Sequence, residues 1–300
     1  MKNQTITLAT PNLFSWDLIL DYLNRDPNEV IYQINGKKIR RAFKIDNLKY
    51  LCEISQNDQT NQLDIRILNQ QVWAEKSIET IKRFVMEWFD LETPLEGFYE
   101  LAENDPILSG VAQQFMGLRM VGIPDFYEAI TWGILGQQIN IGYAYTLKRR
   151  FTEKYGDSIV FENHTYWIYP EASTVGKLSI DELLELRLTL RKAEYLLAIS
   201  QKIVDGQLSK VQLLEHSNAQ SAEKQLITLR GIGPWTANYV LMRCLRMGDA
   251  FPMADIGVLN GIQKLGKQEA RPDKEQMNQF KERWGTWCSY ATFYIWRKYY

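Results

Sequence analysis

At 300 residues the chain is longer than one hydrophobic core comfortably serves, and 45% apolar with 24% charged residues fits an ordinary soluble protein of two or three domains. Three scattered cysteines (Cys52, Cys244, Cys288) and two histidines (His164, His216) exclude a disulfide framework and a four-cysteine metal centre, and leave little for a histidine triad. The net charge of −1 hides an asymmetry: residues 1–110 carry 12 Lys/Arg against 17 Asp/Glu, residues 111–220 carry 11 against 12, and residues 221–300 carry 12 against 7, so the last third is the one expected to face a polyanion.

The opening MKNQTITLAT has no apolar leader, and no run of about 18 apolar residues follows. A cytoplasmic protein with no membrane partner is expected, nucleoid-associated if bacterial. TITLAT, EVIYQI, IRRAFKI, YLCEISQ and QLDIRIL are short β-branched runs broken by turn signals, and read as strands. SWDLILDYLNRD and SIETIKRFVMEWFD have helical spacing. Residues 1–105 are therefore expected to form an antiparallel sheet domain with a helix or two, and residues 95–110 read as a connection.

From about residue 111 the pattern is almost entirely helical, giving an α+β protein overall. DFYEAITWGILGQQIN and IGYAYTLKRRFTEKYG repeat apolar residues every three or four positions. SIDELLELRL starts with a capping box, Ser179 with Glu182, and RKAEYLLAISQKIVDG ends at a glycine suited to a helix end. In KRR, Lys148 to Arg150 read as a solvated helix face. Residues 106–300 are expected to form two helical subdomains with a cleft between them.

LRGIGPWTANYV lies between two amphipathic helices within residues 221–245. Gly231 and Gly233 allow positive φ and close approach of another backbone, and Pro234 fits the first turn of the second helix. Amides of Gly231, Ile232 and Gly233 at a helix N-terminus suit a phosphate oxygen. In DAFPMADIGV, Asp255 precedes an apolar-periodic helix, either as a plain N-cap or as a carboxylate held in a cleft. Asp249, in the polar turn MGDA, is the competing acid.

Together, LRGIGPWTANY and DAFPMADIGV resemble the helix–hairpin–helix, Gly/Pro-rich, aspartate superfamily of DNA glycosylases. Within it the chain is most similar to 3-methyladenine DNA glycosylase II. The likeness extends through GILGQQINIGYAYTLKRRF, RKAEYLLAIS and SYATFYIW, and so covers about residues 120–300. It implies that Asp255 is the catalytic aspartate, that Trp235, Tyr239 and Trp296 line a base pocket, and that Gln137, Gln138 or Ile139 enters the gap left by a flipped base. It also implies a monovalent cation, Na+ or K+, on the hairpin backbone at Ile227, Leu229 and Ile232, with no other cofactor required.

Relatives that also cut the strand carry a lysine where Trp235 stands, so no lyase chemistry is expected. The resemblance thus implies a monomeric, monofunctional enzyme that excises alkylated bases, of the 3-methyladenine and 7-methylguanine type, from double-stranded DNA. The alternatives are a non-catalytic helix–hairpin–helix DNA-binding protein, or a glycosylase for an oxidised or deaminated base.

Overall fold

The computed structural model describes residues 5–57, 59–69 and 74–299. The β-branched runs form strands β1 (Thr5–Ala9), β2 (Tyr32–Asn35), β3 (Lys38–Ile45), β4 (Leu48–Asn57) and β5 (Gln62–Ile67). They make one antiparallel sheet in the order β1-β5-β4-β3-β2. The β3–β4 hairpin turns at Asp46 and Asn47, both left-handed (φ 48° and 67°), as a two-residue turn matching strand twist requires.

Helix α1 (Trp16–Leu23) starts at Ser15, whose hydroxyl accepts from the Leu18 amide. It buries Trp16, Ile19 and Leu23; α2 (Glu75–Trp88) buries Ile81, Val85 and Trp88. Both join the sheet residues Ile39, Ile54, Leu63 and Ile65 in one core.

Residues 95–110, expected as a connection, instead carry a short helix, α3 (Glu96–Glu103), and the first residues of another, α4 (Ser109–Gln114). Only Phe98 and Ala102 of α3 are buried, four apart, which is too little periodicity to register as a helix against its acidic residues.

Beyond them follow α5 (Phe126–Leu135), α6 (Ile141–Tyr155) and a departure from the expected all-helical region. Strands β6 (Asp157–Phe161) and β7 (His164–Ile168) form a hairpin turning at Glu162 and Asn163, again both left-handed. Its Ile159 and Tyr166 pack with Ala42 and Leu51 of the main sheet. Arg40 reaches the Glu162 carboxylate at 2.8 Å and the Tyr166 hydroxyl at 3.1 Å. The strand pair is therefore held mainly against the sheet, with α6 also touching β7.

The remaining helices are α7 (Ala172–Val175), α8 (Ile180–Leu184), α9 (Leu190–Val204), α10 (Lys210–Leu214), α11 (Ala219–Leu226), α12 (Pro234–Arg243), α13 (Ile256–Leu265), α14 (Lys274–Trp284) and α15 (Cys288–Tyr299). The capping box of Ser179 and Glu182 is present at α8, and Gly206 has φ 70° beyond α9. Helix α15 returns to the start of the chain: Phe293 packs 5.0 Å from the Tyr22 ring, and Arg297 pairs with Asp21. The sheet and the helices share one hydrophobic core. No helix among the described residues is long and apolar enough to cross a membrane.

Lys148 is not on a solvated face. It is 5% exposed, and its ammonium bonds Glu29 at 2.7 Å and Glu128 at 3.0 Å, while Glu128 also bonds Arg41 at 3.1 Å. Burial disfavours the Lys148 charge, but Glu128 and Glu29 outweigh it and hold its pKa above the usual lysine range. The chain of charges joins the sheet to α5 and α6. Removing one member would strand a buried charge, at about 3–5 kcal/mol.

Candidate active site and DNA-facing hairpin

Two close helix contacts build the site. A Cβ on Gly133 of α5 would lie 2.7 Å from Thr236 of α12, and one on Gly261 of α13 would lie 2.2 Å from Ile295 of α15. Only glycine lets these pairs approach so far, and the approach gathers side chains from α12, α13 and α15 at one point.

Asp255 is the N-cap of α13, its Oδ1 accepting from the Val258 amide at 2.7 Å. The plain capping role is therefore present, and more is built on it. Trp235 donates its indole N–H to Oδ2 at 2.6 Å, and Trp296 donates its own to Oδ1 at 2.9 Å. Asp249, the competing acid, instead accepts from the Ala219 amide at 3.0 Å and anchors the start of α11.

The rings form a wall. Trp235 stacks on Tyr239 with centroids 5.4 Å apart and planes 22° apart; Tyr239 and Trp296 are 6.1 Å and 33° apart. Trp132, Tyr145 and Ile139 complete this cluster. A flat base needs about 3.5 Å on each side, so neither gap admits one. Burial pushes the Tyr239 hydroxyl up to about 12 despite nearby Arg243, so it stays neutral.

A cavity that shares Tyr239 with the wall is lined also by Tyr22, Arg25, Trp132, Tyr145 and Arg243 among others. Arg25 donates from Nε and Nη2 to the Tyr145 hydroxyl, at 3.0 and 2.8 Å, and lies 3.7 Å from the centre of the Tyr22 ring. Arg243 donates to the Val121 carbonyl at 2.7 Å. These cations escaped the sequence reading, because Arg25 stands at the end of α1, far in sequence from the residues it meets.

Between α11 and α12, residues 227–233 form the hairpin. Gly231 alone needs glycine: its φ is 91°, and a Cβ would fall 2.3 Å from the Tyr195 ring. Gly233 has φ −92° and open space around it, so its use is approach rather than strain. The expected trio of free amides is reduced to two. The Ile232 amide donates to the Leu229 carbonyl at 3.0 Å, and the amides of Gly231 and Gly233 have no acceptor among the described residues.

The carbonyls of Ile227 and Ile232 accept no turn hydrogen bond, and that of Leu229 accepts one. Each keeps a lone pair, so the three hard oxygens expected at a monovalent cation remain usable. No cluster of three His, Cys, Asp or Glu suited to a metal occurs among the described residues.

The three gap candidates separate. Gln137 donates from Nε2 to the Gly231 carbonyl at 2.8 Å and the Thr236 hydroxyl at 3.2 Å, and Ile139 packs against the aromatic cluster. Gln138 is exposed, at φ 57°.

The site thus brings together a helical hairpin with two unpaired amides, a carboxylate that accepts from two indoles, and a row of three aromatic rings. The description "HhH-GPD superfamily base excision DNA repair protein" matches residues 131–286.

The chain belongs to the HhH-GPD superfamily.

A second description, "8-oxoguanine DNA glycosylase, N-terminal domain", matches residues 22–130, the sheet-bearing part. Among HhH-GPD relatives, a DNA-3-methyladenine glycosylase of Bacillus subtilis is 40% identical over 296 residues, 98% of this chain and 97% of that one. DNA-3-methyladenine glycosylase 2 of Escherichia coli is 27% identical over 202 residues, 66% of this chain and 68% of that one. In fold, a 3-methyladenine DNA-glycosylase from Archaeoglobus fulgidus superposes with a TM-score of 0.82 at 22% identity, covering 97% of each chain.

Within this HhH-GPD site, Trp296→Phe keeps a ring in the wall and removes one of three hydrogen bonds to Asp255. A bond to a charged acceptor contributes about 1.5–3 kcal/mol. Single-turnover cleavage by the variant is expected to slow about tenfold with DNA affinity unchanged, and a wild-type rate would mean that the indole N–H does nothing for Asp255.

Proposed function

We propose that the chain is a DNA glycosylase that extrudes an alkylated purine of the 3-methyladenine or 7-methylguanine type from double-stranded DNA and hydrolyses its bond to deoxyribose, leaving the strand uncut. The observation that carries this reading is the Asp255 carboxylate gripped by the indoles of Trp235 and Trp296, beside Tyr239.

A base inside a duplex is out of reach, so it must leave the stack. An alkylated purine arrives as a cation, and stacking on the aromatic wall with cation–π attraction favours it by about 0.5–2 kcal/mol per good contact. As the glycosidic bond breaks, its electron pair passes to the base nitrogen and neutralises the ring, so no strong acid is required. Positive charge develops on the sugar, where Asp255 stabilises it. A water then adds at C1′ and gives up its proton with Asp255 as acceptor. The partners of the carboxylate are two indoles and an amide, and no amine stands among them, which favours hydrolysis over a covalent imine.

The hairpin grips the strand. The amides of Gly231 and Gly233 face phosphate oxygens, and a monovalent cation on the carbonyls of Ile227, Leu229 and Ile232 would add positive charge there. Gln138 enters the gap in the stack. The enzyme works as a monomer. Gln138→Ala is expected to slow release from paired duplex about fivefold to tenfold, because re-entry of the base goes unopposed; equal rates for variant and wild type would remove Gln138 from this role.

A second reading keeps the chemistry and changes the lesion, favoured by the N-terminal match over residues 22–130. Duplexes carrying 3-methyladenine, 7-methylguanine or 8-oxoguanine, scored by free base, separate the two. Faster release of the cationic bases is expected; preference for the oxidised base would contradict the proposal. A pure binding module would release none.

A further inference from the structure

The turn joining α5 to α6, which presents Gln138, is tied down at both ends. Leu135 closes α5, and its carbonyl accepts the ammonium of Lys192 at 2.8 Å. Two residues on, Gln137 fastens to the Gly231 carbonyl and the Thr236 hydroxyl. Asn140 then caps α6 through the Tyr143 amide at 2.8 Å. Gln138 projects from this frame in a left-handed conformation.

Lys192 is an unusual choice for its place. It is 7% exposed, and the Leu135 carbonyl is the acceptor its ammonium finds among the described residues. Burial pushes its pKa below the ordinary lysine range. An apolar side chain would fill the space without that desolvation. What the ammonium supplies is a charged donor at the carbonyl end of α5, where the helix dipole is negative.

The same turn of α9 also braces the hairpin. Glu194 pairs with Arg230 at 2.6 Å, and the Tyr195 ring occupies the space a Gly231 side chain would need. One helix thus holds both the gap-filling turn and the phosphate-binding turn, and Gln137 links them directly.

We propose that Lys192 and Gln137 are positioning residues that lock the Gly136–Asn140 turn to the hairpin, so that gripping the phosphates and filling the gap behind an extruded base occur as one event. This rests on the reading of the chain as a base-flipping glycosylase. A turn that had to be ordered at each encounter would lose conformational freedom just when the gap must be filled. The cost falls on opening a paired duplex and spares a lesion that has no partner base to leave.

The test is single-turnover release from two duplexes carrying one alkylated purine, opposite thymine in the first and opposite an abasic analogue in the second. Lys192→Met is expected to slow release from the paired duplex about tenfold while the unpaired one stays within about twofold, a selective barrier change of about 1.4 kcal/mol. Lys192→Arg, which keeps a charged donor, restores most of the paired rate. Gln137→Ala, at a half-buried position, follows the Lys192→Met pattern and decides the matter should Lys192→Met not fold. Equal slowing on both duplexes, or none on either, overturns the inference and leaves the glycosylase reading intact. Absence of release by the unaltered protein from both duplexes overturns that reading and this inference with it.

Discussion

Asp255→Asn is expected to lower single-turnover base release by about a thousandfold, on the order of 4 kcal/mol in the barrier, while affinity for the duplex stays near that of the unaltered protein. The amide is nearly the same shape as the carboxylate, so the loss is electrical and directional. Oδ1 accepts from both Val258 and Trp296, so the amide oxygen is best placed there. Its NH2 group must then face the indole N–H of Trp235, donor against donor, at a contact now 2.6 Å long. The negative charge proposed to face the sugar is gone as well. Retention of turnover within tenfold would show that Asp255 only caps α13. Measured binding to intact DNA is the control, because the hairpin lies on a different turn of the chain.

Gly231→Ala is expected to weaken binding to damaged and undamaged duplex alike, by about tenfold or more, and to lower the melting temperature by several degrees. At φ 91° a side chain is strained, at about 1–3 kcal/mol, and the added carbon would meet the Tyr195 ring at 2.3 Å. The turn must shift, and with it the two unpaired amides and the carbonyl that holds Gln137. Gly233→Ala is the informative contrast. Space around Gly233 is open and its backbone is ordinary, so the free protein should melt as before, and any loss of affinity reports approach of DNA. Anisotropy titrations at several salt concentrations measure both, since lost phosphate contacts flatten the salt dependence. Unchanged affinity for Gly231→Ala would place the hairpin away from DNA.

What could be read from the sequence divides by distance along the chain. The α11–turn–α12 unit and the Asp255 cap are local, written in glycine, proline and helical spacing over some thirty residues. The sheet was legible from β-branched runs punctuated by turn residues. Trp296 reaches Asp255 from 41 positions away, and only the likeness of SYATFYIW to a known family pointed to it.

Elsewhere the environment decides the role and composition cannot. Lys148 stands in a basic run that looks solvated, yet its partners Glu29 and Glu128 come from different parts of the chain. Gly231 and Gly233 look equivalent in a G-I-G motif, but only the first has a ring pressed against it. The β6–β7 pair is marked by alternation in DSIVF and HTYWI around Glu162 and Asn163, a signal overshadowed by helical neighbours. Asp249 stands out in the sequence as an acid, but nothing near it in the chain marks the Ala219 amide, 30 positions away, as its partner.

We propose that this chain excises an alkylated base by hydrolysis. That proposal is tested most directly by incubating the purified protein with end-labelled duplex DNA containing 3-methyladenine or 7-methylguanine, without added divalent metal. Free base is measured in the supernatant, and strand breaks are measured before and after alkali. Free methylated base is expected, with strands that remain whole until alkali cuts them at the abasic site. No free base, or strand cleavage without alkali, would contradict it.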